Sequence, residues 1–219
     1  MTPYYQDDAV TIYHADCRDV VRVVGGPFDL LLTDPPYGIN FDAGARRDHP
    51  SSVCGRKWGK ITGDTETFDP SPLRGRATYE IWWGAHHYAS RLPDSHGWLV
   101  WDKRRMGTTN KGYIASDVDL AWTSWLGHCK VFAYLWDGRL QDGEKNQRRH
   151  HPTQKPLDLF RWCIQLPSNP IASVFDPFMG SGTTLRAAKD LGRKAVGIEI
   201  EEKYCEIAAR RMEQGVLAL

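Results

Sequence analysis

The stretch "FDLLLTD" at 28–34 sets three leucines in a row between two acids. A strand with one wet face alternates apolar and polar residues. An unbroken apolar run instead reads as a strand buried on both faces. Such a strand needs cover above and below, so it points to a parallel sheet with helices on both sides. The rest of the chain can supply that cover. Strands are predicted at "VTIYHAD" (10–16), "GWLVWDK" (97–103), "ASVFD" (172–176) and "KAVGIEI" (194–200). Helices are predicted at "CRDVVRVVG" (17–25), "ATYEIWWGAHHYASRLP" (77–93), "PLDLFRWCIQLP" (156–167), "TTLRAAKDLG" (183–192) and "EEKYCEIAARRM" (201–212). Pro156 starts one of them and Gly192 stops another. "VDLAWTSW" (118–125) and "CKVFAYLW" (129–136) read as two strands joined tightly at Leu126-Gly127-His128, an antiparallel edge.

At 219 residues the chain reads as a single domain, 1–219. Two polar stretches, about 42–76 and 137–150, break the alternation, and long irregular loops in a compact domain are usually functional. The net charge of +1 means any polyanion site must come from local clustering. The five cysteines (17, 54, 129, 163 and 205) are odd in number and form no CxxC pair. The "HH" pairs at 86–87 and 150–151 lack zinc-ligand spacing. The expectation is reduced thiols and no metal. The first residues look unlike a signal peptide, and no apolar run reaches the length of a membrane span. A cytoplasmic protein is expected.

Three strands end in chemistry-bearing turns. In "VFDPFMGSGTT" (174–184) a strand stops at Asp176 and a glycine-spaced turn opens a helix. Gly180 and Gly182 allow a ligand to approach the backbone, and the helix start offers free N–H groups. A phosphate loop would need a lysine before Thr183, and Gly182 stands there. In "AVGIEI" (195–200) a strand ends in Glu199, about twenty residues on, the spacing of an acid that takes ribose hydroxyls. Helix capping is the alternative role for Glu199. The third turn, "TDPPYG" (33–38), follows the leucine run with a stiff acid–proline–proline–aromatic corner. Taken alone, it could be a rigid turn with a capping aspartate. All three turns fall at the carboxyl ends of predicted parallel strands, where open α/β sheets bind ligands.

"DPPY", "HPTQKP" (151–156) and "DPFMGSGTT", in that order, resemble the DNA amino-methyltransferases of the circularly permuted β group. These enzymes methylate N6 of adenine or N4 of cytosine from S-adenosylmethionine. The resemblance covers nearly the whole chain. It implies an α/β, Rossmann-like, S-adenosylmethionine-dependent methyltransferase sheet, circularly permuted, with family strand order 3-2-1-4-5-7-6 and an antiparallel edge strand. It places Asp34, Pro35, Pro36 and Tyr37 at the catalytic corner. The Asp34 carboxylate and the Pro35 carbonyl would grip the two N–H bonds of the target amine, and Tyr37 would stack on a flipped-out base.

The resemblance gives the cofactor Asp16, Cys17, Asp34, Asp176, Phe178, Gly180, Ser181, Gly182, Thr183, Glu199 and Ile200. Capping of the next helix is the alternative for Asp16. Lys155 is expected near the methionine carboxylate, with Thr153 and Gln154 adding hydrogen bonds. Arg46, Arg47, Arg56, Lys57, Arg148 and Arg149 would grip double-stranded DNA. The stretch before "KP" is short for a recognition region, which leaves room for the 42–76 loop or a second subunit in a homodimer. Asp rather than Ser before "PPY" leans to adenine in the family. The implied enzyme is a site-specific N6-adenine methyltransferase of a restriction-modification system, near the nucleoid. An N4-cytosine enzyme, a non-catalytic DNA-binding module and a methyltransferase acting on RNA or on a protein glutamine are the alternatives.

Overall fold

The computed structural model describes residues 1–20, 24–41, 60–104, 116–137, 140–141, 150–151 and 153–215. In chain order these form β1 (Tyr5–Gln6), β2 (Val10–His14), α1 (Cys17–Val20), β3 (Phe28–Thr33), β4 (Ala77–Trp83), β5 (Trp98–Asp102), β6 (Val118–Thr123), β7 (Lys130–Ala133), β8 (Trp136–Asp137), β9 (Leu140–Gln141), α2 (Leu157–Gln165), β10 (Ser173–Asp176), α3 (Thr183–Asp190), β11 (Lys194–Glu199) and α4 (Glu202–Glu213). Two 3-10 turns, Ala85–His87 and Ala89–Arg91, follow β4.

Among the described residues one sheet runs β1-β2-β11-β10-β3-β4-β6-β5-β7, and β8 pairs with β9 apart from it. The five strands β2, β11, β10, β3 and β4 are parallel. β6 runs antiparallel to both of its neighbours, and β1 is antiparallel at one edge. The run β2-β11-β10-β3-β4-β6-β5 is the expected order 3-2-1-4-5-7-6. The chain enters at the third strand of that plan and reaches the first two only at its end, which is the circular permutation.

Two expectations about the strands are corrected. Residues 77–83 form β4 rather than a helix, with only short turns after it. Ile81, Trp82 and Trp83 are all buried, Ile81 and Trp83 in one core layer and Trp82 in the other. A strand apolar on both faces loses its alternation and imitates helical spacing. Gly84 then ends it with φ 68°. Second, β6 and β7 are not a hairpin, because β5 lies between them, antiparallel to β6 and parallel to β7. The connection after β6 crosses beside Gly97, where a Cβ would stand 2.3 Å from Leu126. The antiparallel strand of the 118–136 pair, β6, therefore lies two strands in from the β7 edge.

Helices α2, α3 and α4 cover one face of the sheet through Leu159, Phe160, Leu185, Ala188, Cys205 and Ala208. Among the described residues the other face is closed by α1, the 3-10 turns and the segment around Phe68 and Leu73, rather than mainly by helices as expected. No described helix is long and apolar enough to cross a membrane.

Candidate active site

The carboxyl ends of β2, β11, β10 and β3 lie side by side, and each carries an acid: Asp16, Glu199, Asp176 and Asp34. The β3 and β10 ends are bolted together, because the buried Thr33 hydroxyl donates to Asp176 Oδ1 at 2.7 Å. Asp176 Oδ2 accepts from Thr184 Oγ1 at 2.5 Å, and Oδ1 also accepts from the Phe178 N–H at 3.1 Å. Burial pushes the Asp176 carboxyl up to about 6, against the pull of these three donors. Its oxygens thus hold the glycine turn and the start of α3 from inside.

Asp34 is bonded differently. Oδ1 accepts from the Tyr37 hydroxyl, and Oδ2 accepts from Lys155 Nζ at 2.6 Å. Lys155 also donates to the Tyr37 oxygen at 3.2 Å. The Lys155 ammonium therefore sits on the Asp34 carboxylate. Burial, with Asp34 beside it, raises the Tyr37 phenol well above its ordinary value. One face of the Tyr37 ring is stacked on His87, with centroids 5.0 Å apart and planes 19° apart. Gly84 lets the ring in, since a Cβ there would lie 1.9 Å from it.

The backbone after the prolines is held by a residue that sequence reasoning missed. Asp64 is 2% exposed and accepts from the N–H groups of Gly38 (2.7 Å) and Phe41 (2.6 Å). Its carbonyl accepts from Asn40 at 2.7 Å. The second half of the polar stretch 42–76 is thus fastened to the Asp-Pro-Pro-Tyr corner. Phe68 of the same segment packs edge-on against Phe178 and Tyr88. Nothing in the local sequence marks Asp64.

On the glycine side, Gly180 and Gly182 have φ of 51° and 79°. The Gly180 N–H donates to Glu199 Oε2 at 3.0 Å, and the Glu201 N–H donates to Oε1 at 2.8 Å. Burial pushes the Glu199 carboxyl up to about 7. Ile200 beside it is 47% exposed, an apolar surface next to an acid. Ser181 and Thr183 are buried and face inward, where Arg211 of α4 donates to the Ser181 carbonyl at 2.6 Å. Asp16 accepts from the Arg18 N–H at 2.9 Å and caps α1, and its carboxyl is lowered chiefly by the Arg18 side chain. Burial raises the Cys17 thiol to about 12.

The "HPTQKP" loop lies over the glycine turn. A Cβ on Gly180 would sit 3.7 Å from the His151 ring, which packs edge-on against Tyr204. Burial pushes the His151 imidazole down to about 4. Thr153 and Gln154 bond back within their own loop, to His151 Nδ1 at 3.0 Å and to the His150 N–H at 2.8 Å. This folding delivers Lys155 to Asp34. Arg46, Arg47, Arg56, Lys57, Arg148 and Arg149 lie outside the described residues.

The DNA methylase family of N6 and N4 methyltransferases matches residues 75–210. Among curated relatives, the chain is 40% identical to the Type II methyltransferase M2.DpnII of Streptococcus pneumoniae, over 96% of this chain and 92% of that one. It is 41% identical to the DNA adenine methyltransferase YhdJ of Escherichia coli, over 95% of this chain and 84% of that one. Among solved structures, the M1.HpyAVI–SAM complex superposes with a TM-score of 0.59 at 24% identity, covering 94% of this chain and all of that one. The PvuII DNA methyltransferase (cytosine-N4-specific) superposes with a TM-score of 0.63 at 14% identity, covering 99% and 90%. The chain belongs to the N6/N4 DNA methylase family, and its methyl donor is S-adenosylmethionine. The residues present fit that donor. Half-exposed Asp16, Phe178, Gly180 and Glu199, with exposed Ile200, line one edge of the sheet beside Asp34.

Proposed function

We propose that the chain methylates the N6 amine of adenine in double-stranded DNA, on a base turned out of the helix. The observation that carries this reading is the Asp34 corner, fixed beside the glycine turn by the Thr33–Asp176 bond. S-adenosylmethionine would supply an electrophilic methyl group there, its S–CH3 bond breaking as the N–CH3 bond forms and the extra proton on nitrogen passing to solvent. The protein's task is to make a poor nucleophile attack that methyl group, since the exocyclic amine delocalises its lone pair into the ring. Asp34 accepts one amine N–H and the Pro35 carbonyl the other, which favours a pyramidal nitrogen. The buried Pro35 and the Asp64 clasp hold that carbonyl in place before the base arrives. Asp34 then stabilises the positive charge that develops on nitrogen, a contribution of about 2.7–4 kcal/mol for one such acceptor.

The target atom is hidden in a duplex, so the base must flip out. Tyr37 and its stacked His87 form the aromatic wall beside the corner. In this reading Glu199 takes the ribose hydroxyls and Ile200 the adenine ring of the donor. The basic stretches 45–60 and 144–155 grip phosphates. Adenine is favoured over cytosine by the aspartate before the prolines and by the relative whose name specifies adenine. The reaction takes place in the cytoplasm, at chromosomal DNA. Digestion of methylated DNA to nucleosides, followed by mass spectrometry, tests the reading. N6-methyladenine is expected. N4-methylcytosine would overturn the base assignment and keep the mechanism, while 5-methylcytosine or no product would overturn both.

A further inference from the structure

The Lys155 side chain is 6% exposed. A buried ammonium is tolerated only against opposite charge. Among the described residues it has two such partners. Asp34 Oδ2 stands at 2.6 Å, and Asp119 Oδ2 stands at 3.9 Å. On its far side Asp119 Oδ1 is held by Lys103 Nζ at 2.7 Å. Lys103 in turn lies over the Trp101 ring at 5.3 Å. Four charges of alternating sign therefore run Lys103, Asp119, Lys155, Asp34. They step from the end of β5 across the start of β6 to the end of β3. Asp119 belongs to none of the three motifs. It sits opposite Trp101 on the one strand of the sheet interior that runs the other way.

We propose that Asp119 is a positioning residue for methyl transfer, sharing the Lys155 ammonium so that Asp34 keeps its strength as an acceptor for the target amine. This rests on the reading of Asp34 given above. If Lys155 stood wholly on Asp34, the carboxylate would be neutralised where positive charge must develop. Attraction falls as the inverse of distance, so from 3.9 Å Asp119 pulls with about two-thirds of the energy that Asp34 exerts from 2.6 Å. Each carboxylate oxygen has two acceptor sites. Tyr37 takes one on Asp34 Oδ1 and Lys155 takes one on Oδ2, which leaves one on each for an amine. Burial raises the Asp119 carboxyl, but Lys155 and Lys103 outweigh it and hold the group below its ordinary value. Among the described residues, the other titratable groups facing Asp119 are Tyr37, His86 and His87. Burial lowers both imidazoles, so the two lysines are the cations that compete for Asp119.

The test is a steady-state comparison of Asp119→Asn in the wild-type and Lys155→Met backgrounds. In the wild-type background kcat should fall about tenfold, with KM for S-adenosylmethionine within about twofold. In the Lys155→Met background the same change should alter kcat by less than about twofold, because the residue acts through Lys155. Equal losses in both backgrounds, an effect on KM alone, or an unchanged kcat would overturn the proposal. Lys103→Met gives a second reading should Asp119→Asn fold poorly. Freed of its outer cation, Asp119 draws Lys155 further from Asp34, and kcat should rise by about twofold. A fall would overturn the proposal. Asp34→Asn is assayed alongside. If it stays active, the reading of Asp34 fails. If it is inactive while positions 119 and 155 are uncoupled, only the present inference fails.

Discussion

Asp34 and Asp176 are the same residue type in the same local sequence, an aspartate before proline at the end of a buried strand, and their strands are neighbours. They differ in what reaches them. Asp176 is met by neutral donors, two threonine hydroxyls and a backbone N–H, in a site closed to water. Asp34 is met by a phenol and by an ammonium delivered from 121 residues away, and its side chain stays 16% exposed. The first arrangement ties three elements together. The second leaves a carboxylate with acceptor sites toward the outside. A motif letter thus acquires its role from the chemistry of its partners.

The contrast can be sharpened first through pH. The folded Asp176 carboxyl titrates near about 6, above the ordinary 3.8. A raised acid binds its proton more tightly in the folded chain, so stability is greatest below the unfolded value and falls as pH rises from about 4 to about 6. A shift of about two units corresponds to about 3 kcal/mol across that window. Denaturant titrations of wild type should show that slope, and Asp176→Asn should lack it. An identical slope in both would mean the carboxyl does not titrate as its burial implies.

The second test is smaller. Burial holds the Glu199 carboxyl up to about 7, and ribose hydroxyls bound there as proposed would favour its ionised form. Affinity for S-adenosylmethionine should therefore rise with pH through about 7 as the proton leaves. Glu199→Gln should flatten that rise and weaken binding about tenfold above it. Calorimetry at several pH values reads both effects. A pH-dependent affinity that survives in the variant would assign the proton elsewhere.

Much of this was legible in the sequence. The β3, β10 and β11 strands, the α2, α3 and α4 helices and the three turns at strand ends all follow from local apolar runs and punctuation by glycine and proline. What escaped was decided by distance. β4 looked helical because Ile81, Trp82 and Trp83 serve both faces of the sheet, and its neighbours lie far away in the chain. Asp64, His151 and Asp119 act through partners that no spacing rule brings together. A signal for Asp119 did exist, because an acid inside the apolar run "VDLAW" must find a buried partner or reach water. Glu80 in "YEIWW" obeys the same rule, 3% exposed and accepting from the Trp82 indole at 3.0 Å. The rule says that a partner exists, and only the fold says which one.

In the proposed reaction Asp34 acts on the amine that receives the methyl group and leaves the donor's binding to its neighbours. The most direct measurement is single-turnover methyl transfer to DNA by Asp34→Asn at saturating S-adenosylmethionine, with donor affinity measured on the same preparation. The asparagine keeps the shape of the side chain and loses its charge. The account predicts a rate lower by about 10²–10³-fold with donor affinity within about twofold of wild type. A rate within about threefold of wild type, or a loss of affinity that accounts for the loss of rate, would contradict it.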